Sequence, residues 1–300
     1  ICGLFWAAAG ISAPRTVVNK IDFQLADRQI TTPEQLDRQR FQPLADKGLS
    51  MDRVPGKDLW LRLYLEPDQH LRNPVLFVPR VRYKMMVFEG GDSVYSFGIP
   101  EAPGDPAFLG AHHHEVYLSE NAKDKPIYIR VVSDLKRVGL IGPLQLGDAA
   151  SHLKWMWQQD LPKYIVGALF VILGIIFVLL YATGFREQVF LPFGFFGLVF
   201  GVFTLGRGYT RGQWGLSDEL VWDYCQTFAL FLSPACLIWF IAEAISRPAE
   251  RRWIMLGAYI HAYYGVAAMA LTLVGLVSLG DVLLPFQVLM LVSAVYGLLY

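Results

Sequence analysis

Cysteine is scarce in this sequence, with three among 300 residues. Cys2 lies in the apolar start of the chain, and Cys225 and Cys236 are eleven residues apart on one predicted helix, where they cannot meet. This spacing excludes a disulfide framework and a cysteine-based metal site. The sequence also has no phosphate-binding glycine loop, Ser-His-Asp order or paired carboxylates, so it predicts neither a catalytic site nor a bound cofactor.

Net charge is also lacking, because 26 basic residues balance 26 acidic ones. A neutral chain lacks the excess of basic residues that is typical of nucleic-acid-binding proteins, so we expect no nucleic-acid partner. Charge is nearly missing from the second half, since 19 of the 26 Lys and Arg residues precede Lys163. The hydrophobic share, 54%, exceeds that of a usual soluble domain. The composition therefore predicts a soluble domain of about 140 residues followed by a membrane domain.

The longest apolar run covers residues 163–185, and its stretch 164–183 has no ionisable group other than two tyrosines. About 20 apolar residues at 1.5 Å rise cross a hydrocarbon core of about 30 Å. Four further spans are predicted, at residues 188–205, 224–245, 254–279 and 282–300. We therefore expect a multi-helix transmembrane domain over residues 163–300.

Small and polar residues mark two places in these spans. Gly197 and Gly201 form a GxxxG, which favours close packing of two helices. Glu243 and His261 are ionisable groups within apolar helices, where such groups are functional candidates by default. The alternatives are an ion pair of Glu243 with Arg247, one turn later, and an interhelical hydrogen bond from His261.

Before the first span the chain carries strand patterns. In residues 59–65 the leucines at every second position share one face, and Trp60, Arg62 and Tyr64 share the other. Short strands separated by Gly, Pro, Asn and Asp clusters predict a β-sandwich. Residues 32–46 are the exception, because Pro33 after Thr32 favours a helix start and Pro43 stops the helix early.

Four segments follow from these patterns. Residues 1–14 resemble the remnant of a secretory signal peptide, with a buried strand as the alternative. Residues 15–149 are the predicted β domain, and residues 163–300 the membrane domain. Residues 150–162 form a neck with two tryptophans at the membrane surface and a break at its last residue, a proline. The chain does not begin with Met and ends in an apolar run, so we expect a fragment of a longer protein.

The basic residues of the loops predict an orientation. Loops 185–188 and 247–253 hold four Lys and Arg residues, whereas the longer loop 206–223 and the short loop 279–281 together hold two. The positive-inside rule therefore places the first two loops in the cytoplasm. Both this rule and the signal-like start place the β domain outside the cytoplasm, in a multi-pass protein of the bacterial inner membrane.

The β domain carries two candidate ligand surfaces. Trp60, Arg62 and Tyr64 form one, and Arg80 and Arg82 repeat at period two on another strand. Aromatic rings and arginine can stack on a sugar or hold an anion. The alternative is a second packed layer covering Trp60.

The run His112–His114 is a candidate metal site, because imidazole is a common metal ligand. No Cys, Asp or His at a recognisable spacing completes such a site, so the alternative is that these histidines are solvated.

The strand motifs resemble those of the bacterial seven-transmembrane receptors with diverse intracellular signalling modules. The resemblance covers residues 58–300 and rests on DLWLRL at 58–63, RYKMMVF at 82–88, HEVYL at 114–118, IYIRVVS at 127–133, GPL at 142–144, and Gly167, Gly174 and Leu180-Tyr181. It implies an extracellular jelly-roll domain similar to carbohydrate-binding domains. It also implies seven helices and a cytoplasmic cyclase, kinase or phosphatase module, which these 300 residues do not include.

The functional hypothesis is therefore a membrane signal-transduction receptor. Its expected partners are the lipid bilayer, a carbohydrate or other small ligand, a periplasmic protein, and a second copy in a homodimer. The rival from another class is a membrane transporter or membrane enzyme with an accessory β domain. For a transporter, broken helices with polar midplane groups are expected.

Overall fold

The computed structural model describes residues 16–18, 20–44, 50–65, 73–81, 84–98, 112–133, 137–140, 142–211, 219–244, 248–277 and 279–299. The expected leader and Arg82 lie outside the described residues, and only the backbone of Arg80 and His112 is described. The chain divides into two compact units, Ile1–Gln158 and Gln159–Tyr300. The segment boundaries at 14/15, 149/150 and 162/163 stay predictions.

The first unit is built from antiparallel sheets. Within the described part of the chain the strands are β1 Thr16–Val17, β2 Ile21–Asp27, β3 Gln42–Pro43, β4 Ser50–Asp52, β5 Lys57–Leu63, β6 Pro74–Val81, β7 Lys84–Glu89, β8 Asp92–Phe97, β9 His112–Tyr117, β10 Ile127–Val132, β11 Arg137–Gly139 and β12 Gln145–Asp148. One sheet has the order β1-β12-β6-β9 and a larger one the order β3-β2-β5-β10-β7-β8. Strands β11 and β4 form a third, two-stranded sheet. The predicted antiparallel β region is confirmed.

The main core contains residues from both larger sheets. Leu59, Leu61 and Leu63 of β5 are fully buried, as the alternation predicts, and share one cluster with Leu76 and Val78 of β6. Residues at every second position of a strand point to one face, so a single alternating pattern places all three leucines in this core.

Five α-helices follow in the described residues. They are α1 Ala149–Ala182, α2 Phe190–Leu205, α3 Glu219–Ala244, α4 Pro248–Leu273 and α5 Leu279–Leu299. Three are long and apolar enough to cross a membrane, over Ala149–Ala182, Leu220–Ala244 and Glu250–Leu273. Phe190–Leu205 and Leu279–Val295 are apolar but shorter. Of the five predicted spans, the last of which was expected to be incomplete, the structure has three as candidate spans and two as shorter apolar helices.

Helix α1 corrects the predicted neck. It begins at Ala149 and continues through Pro162 to Ala182, so the break expected at Pro162 is wrong. Proline removes one hydrogen bond from a helix, here to the carbonyl of Gln158. Apolar helices tolerate this loss because neighbouring turns and side chains compensate locally. Proline also lies inside α3, at Pro234, without ending that helix.

Helices α1 and α2 pack through glycine, as the GxxxG predicts. A Cβ on Gly201 would lie 2.8 Å from the carbonyl oxygen of Gly167, and one on Gly194 would lie 3.0 Å from that of Gly174. These distances are too short for any side chain, so the two backbones approach closely because the contact is made by glycine.

The predicted helix in residues 32–46 is replaced by two short 3-10 helices, Pro33–Gln35 and Arg38–Arg40. Thr32 precedes the first with extended backbone but makes no capping hydrogen bond. Leu36 ends it in extended conformation, since only one turn forms before the chain changes direction. We call residues 30–41 the strap.

Candidate functional site

The strap covers the outer face of the six-stranded sheet. Leu36 is buried, and Ile30 and Phe41 are partly buried, in a second apolar cluster that includes Trp60 and Tyr128. The Phe41 and Tyr128 rings are 6.1 Å apart between centroids. The sheet therefore has a packed layer on both faces, and the outer layer is made by a segment without regular periodicity.

Trp60 lies at the centre of this outer layer. Its side chain is fully buried and stacks on Phe88, with centroids 5.7 Å apart. A packed layer covers this face of Trp60, as one of the two alternatives from the sequence predicts. The ring of Trp60 therefore presents no surface to solvent while the strap covers it.

Arg62 and Tyr64 lie together at the margin of the strap. The Arg62 guanidinium bonds the Asp22 carboxylate at 2.7 Å and lies 4.3 Å from the centre of the Phe41 ring. It is 5.3 Å from the Tyr64 ring, and Tyr64 is 38% exposed. Arg62 thus fixes Phe41 by a cation–π contact. Ligand binding by Trp60, Arg62 and Tyr64 stays a prediction, as does binding by Arg80 and Arg82.

A buried ion pair that the sequence reasoning missed lies beside Trp60. Arg130 Nε and Nη2 donate to Asp58 Oδ2 at 3.0 and 2.7 Å, and both side chains are buried. Arg130 Nη2 also donates to the carbonyl of Arg28, two residues before the strap, at 2.9 Å. Arg28 Nε approaches Asp58 Oδ1 at 3.2 Å. A charged residue inside the apolar strand IYIRVV is the signal that could have identified this pair.

The first turns of α1 pack on the four-stranded sheet. The ring of Phe77 on β6 lies 4.6 Å from His152 and 5.9 Å from Trp155 between centroids. His113 of β9 stacks on the same ring at 5.8 Å. His152 Nε2 lies 3.7 Å from Glu115 Oε1. We call these five residues the junction.

The predicted histidine run is divided between two faces of β9. His113 belongs to the junction, whereas His114 is buried and its Nδ1 lies 2.7 Å from the hydroxyl of Tyr95. Nearby, partial burial and then the Glu115 carboxylate raise the pKa of Tyr117 above its ordinary value. Among the described residues, no group of three or more His, Cys, Asp or Glu side chains is placed to hold a metal ion.

Asp160, two turns after His152, forms the centre of a polar cluster in the second unit. This fully buried carboxylate accepts from the backbone and the hydroxyl of Thr210, at 2.7 and 3.0 Å, and from Tyr164 at 3.3 Å. Lys163 Nζ donates to it at 2.9 Å. We call these four residues the clasp, because they hold loop 206–211 against α1.

The same loop is tied to α3 by its last residue. Arg211 donates to Asp223 at 2.6 Å and to the carbonyl of Gly206 at 2.8 Å. Its side chain also reaches the amide oxygen of Gln226 at 3.3 Å. The sequence presented these charges as loop residues that set orientation, whereas the structure buries Arg211 and Asp223 as an ion pair.

Glu243 and His261, the two polar residues expected in the membrane helices, both have partners. Glu243 binds Arg251 of α4 at 2.6 Å and accepts a hydrogen bond from Trp239. The alternative partner Arg247 lies outside the described residues. His261 Nε2 lies 2.8 Å from the Ser293 hydroxyl, an interhelical contact between α4 and α5. Glu243 therefore links α3 to α4, and His261 links α4 to α5.

These features define a class of protein: an N-terminal antiparallel β-sheet region followed by helices, three of which are candidate membrane spans. No protein-family model matches this sequence, and no curated protein matches it either.

Proposed function

We propose that this chain is the sensory and membrane part of a bacterial receptor, which detects an extracytoplasmic ligand and passes the signal to a cytoplasmic output module. The observation that carries the proposal is the course of α1. This helix packs on a sheet through His152 and Trp155 and continues, without a break at Pro162, as the most apolar candidate span.

The finer fold and location belong to the same proposal. Two antiparallel sheets that contribute to one core support a β-sandwich of the jelly-roll type. The strand motifs and the membrane helices support membership of the seven-transmembrane receptors with diverse intracellular signalling modules. The loop charges support an inner-membrane location with the β region outside the cytoplasm.

The proposed mechanism is a shift in the equilibrium between two conformations, which differ in the rotation or tilt of α1. A ligand that prefers one arrangement of the β region changes the contact at the junction, and the clasp carries the rotation or tilt of α1 to loop 206–211. A ligand can shift such an equilibrium only by the difference in its affinity for the two states. A transporter would instead require discontinuous helices around a midplane site, whereas α3 is continuous through Pro234.

The test is an insertion series after Gln159, which lies on α1 between His152 and Asp160. One inserted alanine rotates the following residues by about 100°, and four nearly restore the helical phase. We expect one or two insertions to change output strongly and four to change it less. The output is the cyclase, kinase or phosphatase activity of the full-length protein.

A second readout lies within the chain itself. Cys225 on α3 is exposed, so its alkylation rate can be followed after Cys2 and Cys236 are replaced. The control is an alanine insertion after Glu187, in the turn between α1 and α2, which leaves the phase of α1 unchanged. A flat or steadily changing response across one to four alanines after Gln159 would contradict coupling through α1.

A further inference from the structure

We propose that the strap closes over a binding site for a small, neutral polyhydroxylated ligand, formed by Gln24, Trp60 and Arg130. The inference deepens the proposed receptor function and rests on it for the ligand's role as a signal. The site itself is argued from three neighbouring side chains on the outer face of the six-stranded sheet.

These three residues form one row across adjacent strands. In the sheet register Gln24 of β2 is opposite Trp60 of β5, and Trp60 is opposite Arg130 of β10. Directly paired residues point to the same face of a sheet. Adjacent strands are about 5 Å apart, so the row extends about 10 Å from Gln24 to Arg130.

Each member of the row is more than nine-tenths buried and has a polar atom without a partner. Within the described part of the chain, Gln24 Oε1, Trp60 Nε1 and Arg130 Nη1 make no hydrogen bond. Buried polar groups in folded proteins nearly always have a partner, because an unsatisfied group loses its hydration without compensation. Three such atoms in one row under one segment indicate a place built to receive polar groups.

The chemistry of the row selects the ligand. Trp60 Nε1 and Arg130 Nη1 are donors, and Gln24 Oε1 is an acceptor. A hydroxyl both donates and accepts, so a molecule with several hydroxyls satisfies all three atoms, whereas a carboxylate satisfies only the donors. The Arg130 charge is paired with Asp58 at 2.7 Å, and Arg28, the second cation at this carboxylate, keeps 38% of its side chain exposed to water. The buried charges of the row are therefore balanced, which favours a neutral ligand. Aromatic rings in the same layer suit the flat face of a sugar ring.

The strap can lift without breaking the sheet. Its backbone hydrogen bonds in the described residues all join residues three positions apart, from Ile30 to Asp27, from Gln35 to Thr32, from Leu36 to Pro33 and from Arg40 to Asp37. Side chains hold it in place, chiefly Leu36 in the apolar cluster and Phe41 under the Arg62 guanidinium. Contacts of this kind separate and re-form as a unit, which gives a ligand access to the row.

The experiment uses the full chain in lipid nanodiscs and titration calorimetry with D-glucose, D-galactose, N-acetyl-D-glucosamine and maltose. We expect saturable binding of at least one of these sugars and none of D-glucuronate. Trypsin supplies the second readout, since Arg38 and Arg40 of the strap are exposed. The bound sugar should change the cleavage rate at these two residues and leave that at the exposed Lys123 unchanged.

Two variants remove one hydrogen-bonding group each: Gln24→Met keeps a side chain of similar shape, and Trp60→Phe keeps an aromatic ring. Gln24→Met and Trp60→Phe should each weaken sugar binding by about tenfold or more, the effect of one lost hydrogen bond. The exposed Gln42→Met is the matched control and should bind normally. A thermal melt of each variant separates loss of binding from loss of folding.

Each other outcome overturns the site. If no sugar of the panel binds, the row has a structural role only. If binding persists in both variants, the sugar lies elsewhere, and if tryptic cleavage at Arg38 and Arg40 is unchanged, the strap does not cover it. The receptor proposal is tested separately, because the insertion series after Gln159 needs no ligand and can succeed while sugar binding fails.

Discussion

Gly197 of α2 rests against Gly174 of α1 with no side chain between the two backbones. A Cβ on Gly197 would lie 3.1 Å from the Gly174 Cα and 2.9 Å from the carbonyl oxygen of Phe170. One on Gly174 would meet the Leu198 amide nitrogen at 2.7 Å. Because each neighbour is backbone, it cannot move aside as a flexible side chain can.

Gly197→Ala should therefore push α1 and α2 apart. We expect a loss of about 1–3 kcal/mol, the usual effect of overpacking, measured by unfolding in detergent. The control is Gly257→Ala in α4, where a Cβ would meet only the Ile238 side chain at 3.7 Å, an ordinary contact. Equal stability of the two variants would contradict the close backbone approach.

Trp60→Ala should destabilise the β region by about 3–5 kcal/mol, because it leaves a large cavity beneath the strap. Tyr64→Ala, on the same strand face but 38% exposed, should cost much less. The measurement is denaturant unfolding of a fragment covering residues 15–155, after circular dichroism has shown that it is β-rich and melts cooperatively. Similar losses for the two variants would mean that the strap does not bury Trp60.

Asp160→Asn should release loop 206–211. The amide keeps the shape but removes the charge that binds Lys163, and it directs a donor at other donors, so we expect a loss of about 3 kcal/mol. Trypsin should then cleave faster after Arg207, which is exposed in this loop. Glu187→Gln, an exposed carboxylate between α1 and α2, is the control. Unchanged cleavage after Arg207 would show that the clasp does not hold the loop.

The orientation predicted from the loop charges can be tested with a reporter that is active only in the periplasm. Fused after Ala150, it should be active, because the β region is expected outside the cytoplasm. Fused within residues 247–253, it should be inactive, because that loop holds three arginines. The reverse pattern would invert the topology and the proposed direction of signalling.

Features that depend on short sequence patterns could be predicted from the sequence alone. The period of two in residues 59–65 predicts that Leu59, Leu61 and Leu63 share the core, and they do. The apolar stretch 164–183 predicts a span, and the structure has a helix there that is long and apolar enough to cross a membrane. Gly197 with Gly201 predicts a close helix contact, which the structure also has. Each depends only on residues a few positions apart, whose relative directions are set by local backbone geometry.

Partners distant in the chain were decided only by tertiary structure. Arg130 meets Asp58 from 72 residues away, and Asp160 meets Thr210 from 50 residues away. Trp60 is buried because a non-repetitive strap crosses its face, and α1 continues through Pro162 although proline locally favours a break. Sequence alone thus determined which face or segment is apolar, since burial follows local periodicity. The fold decided what covers each face, since that depends on contacts which form only when remote segments pack together.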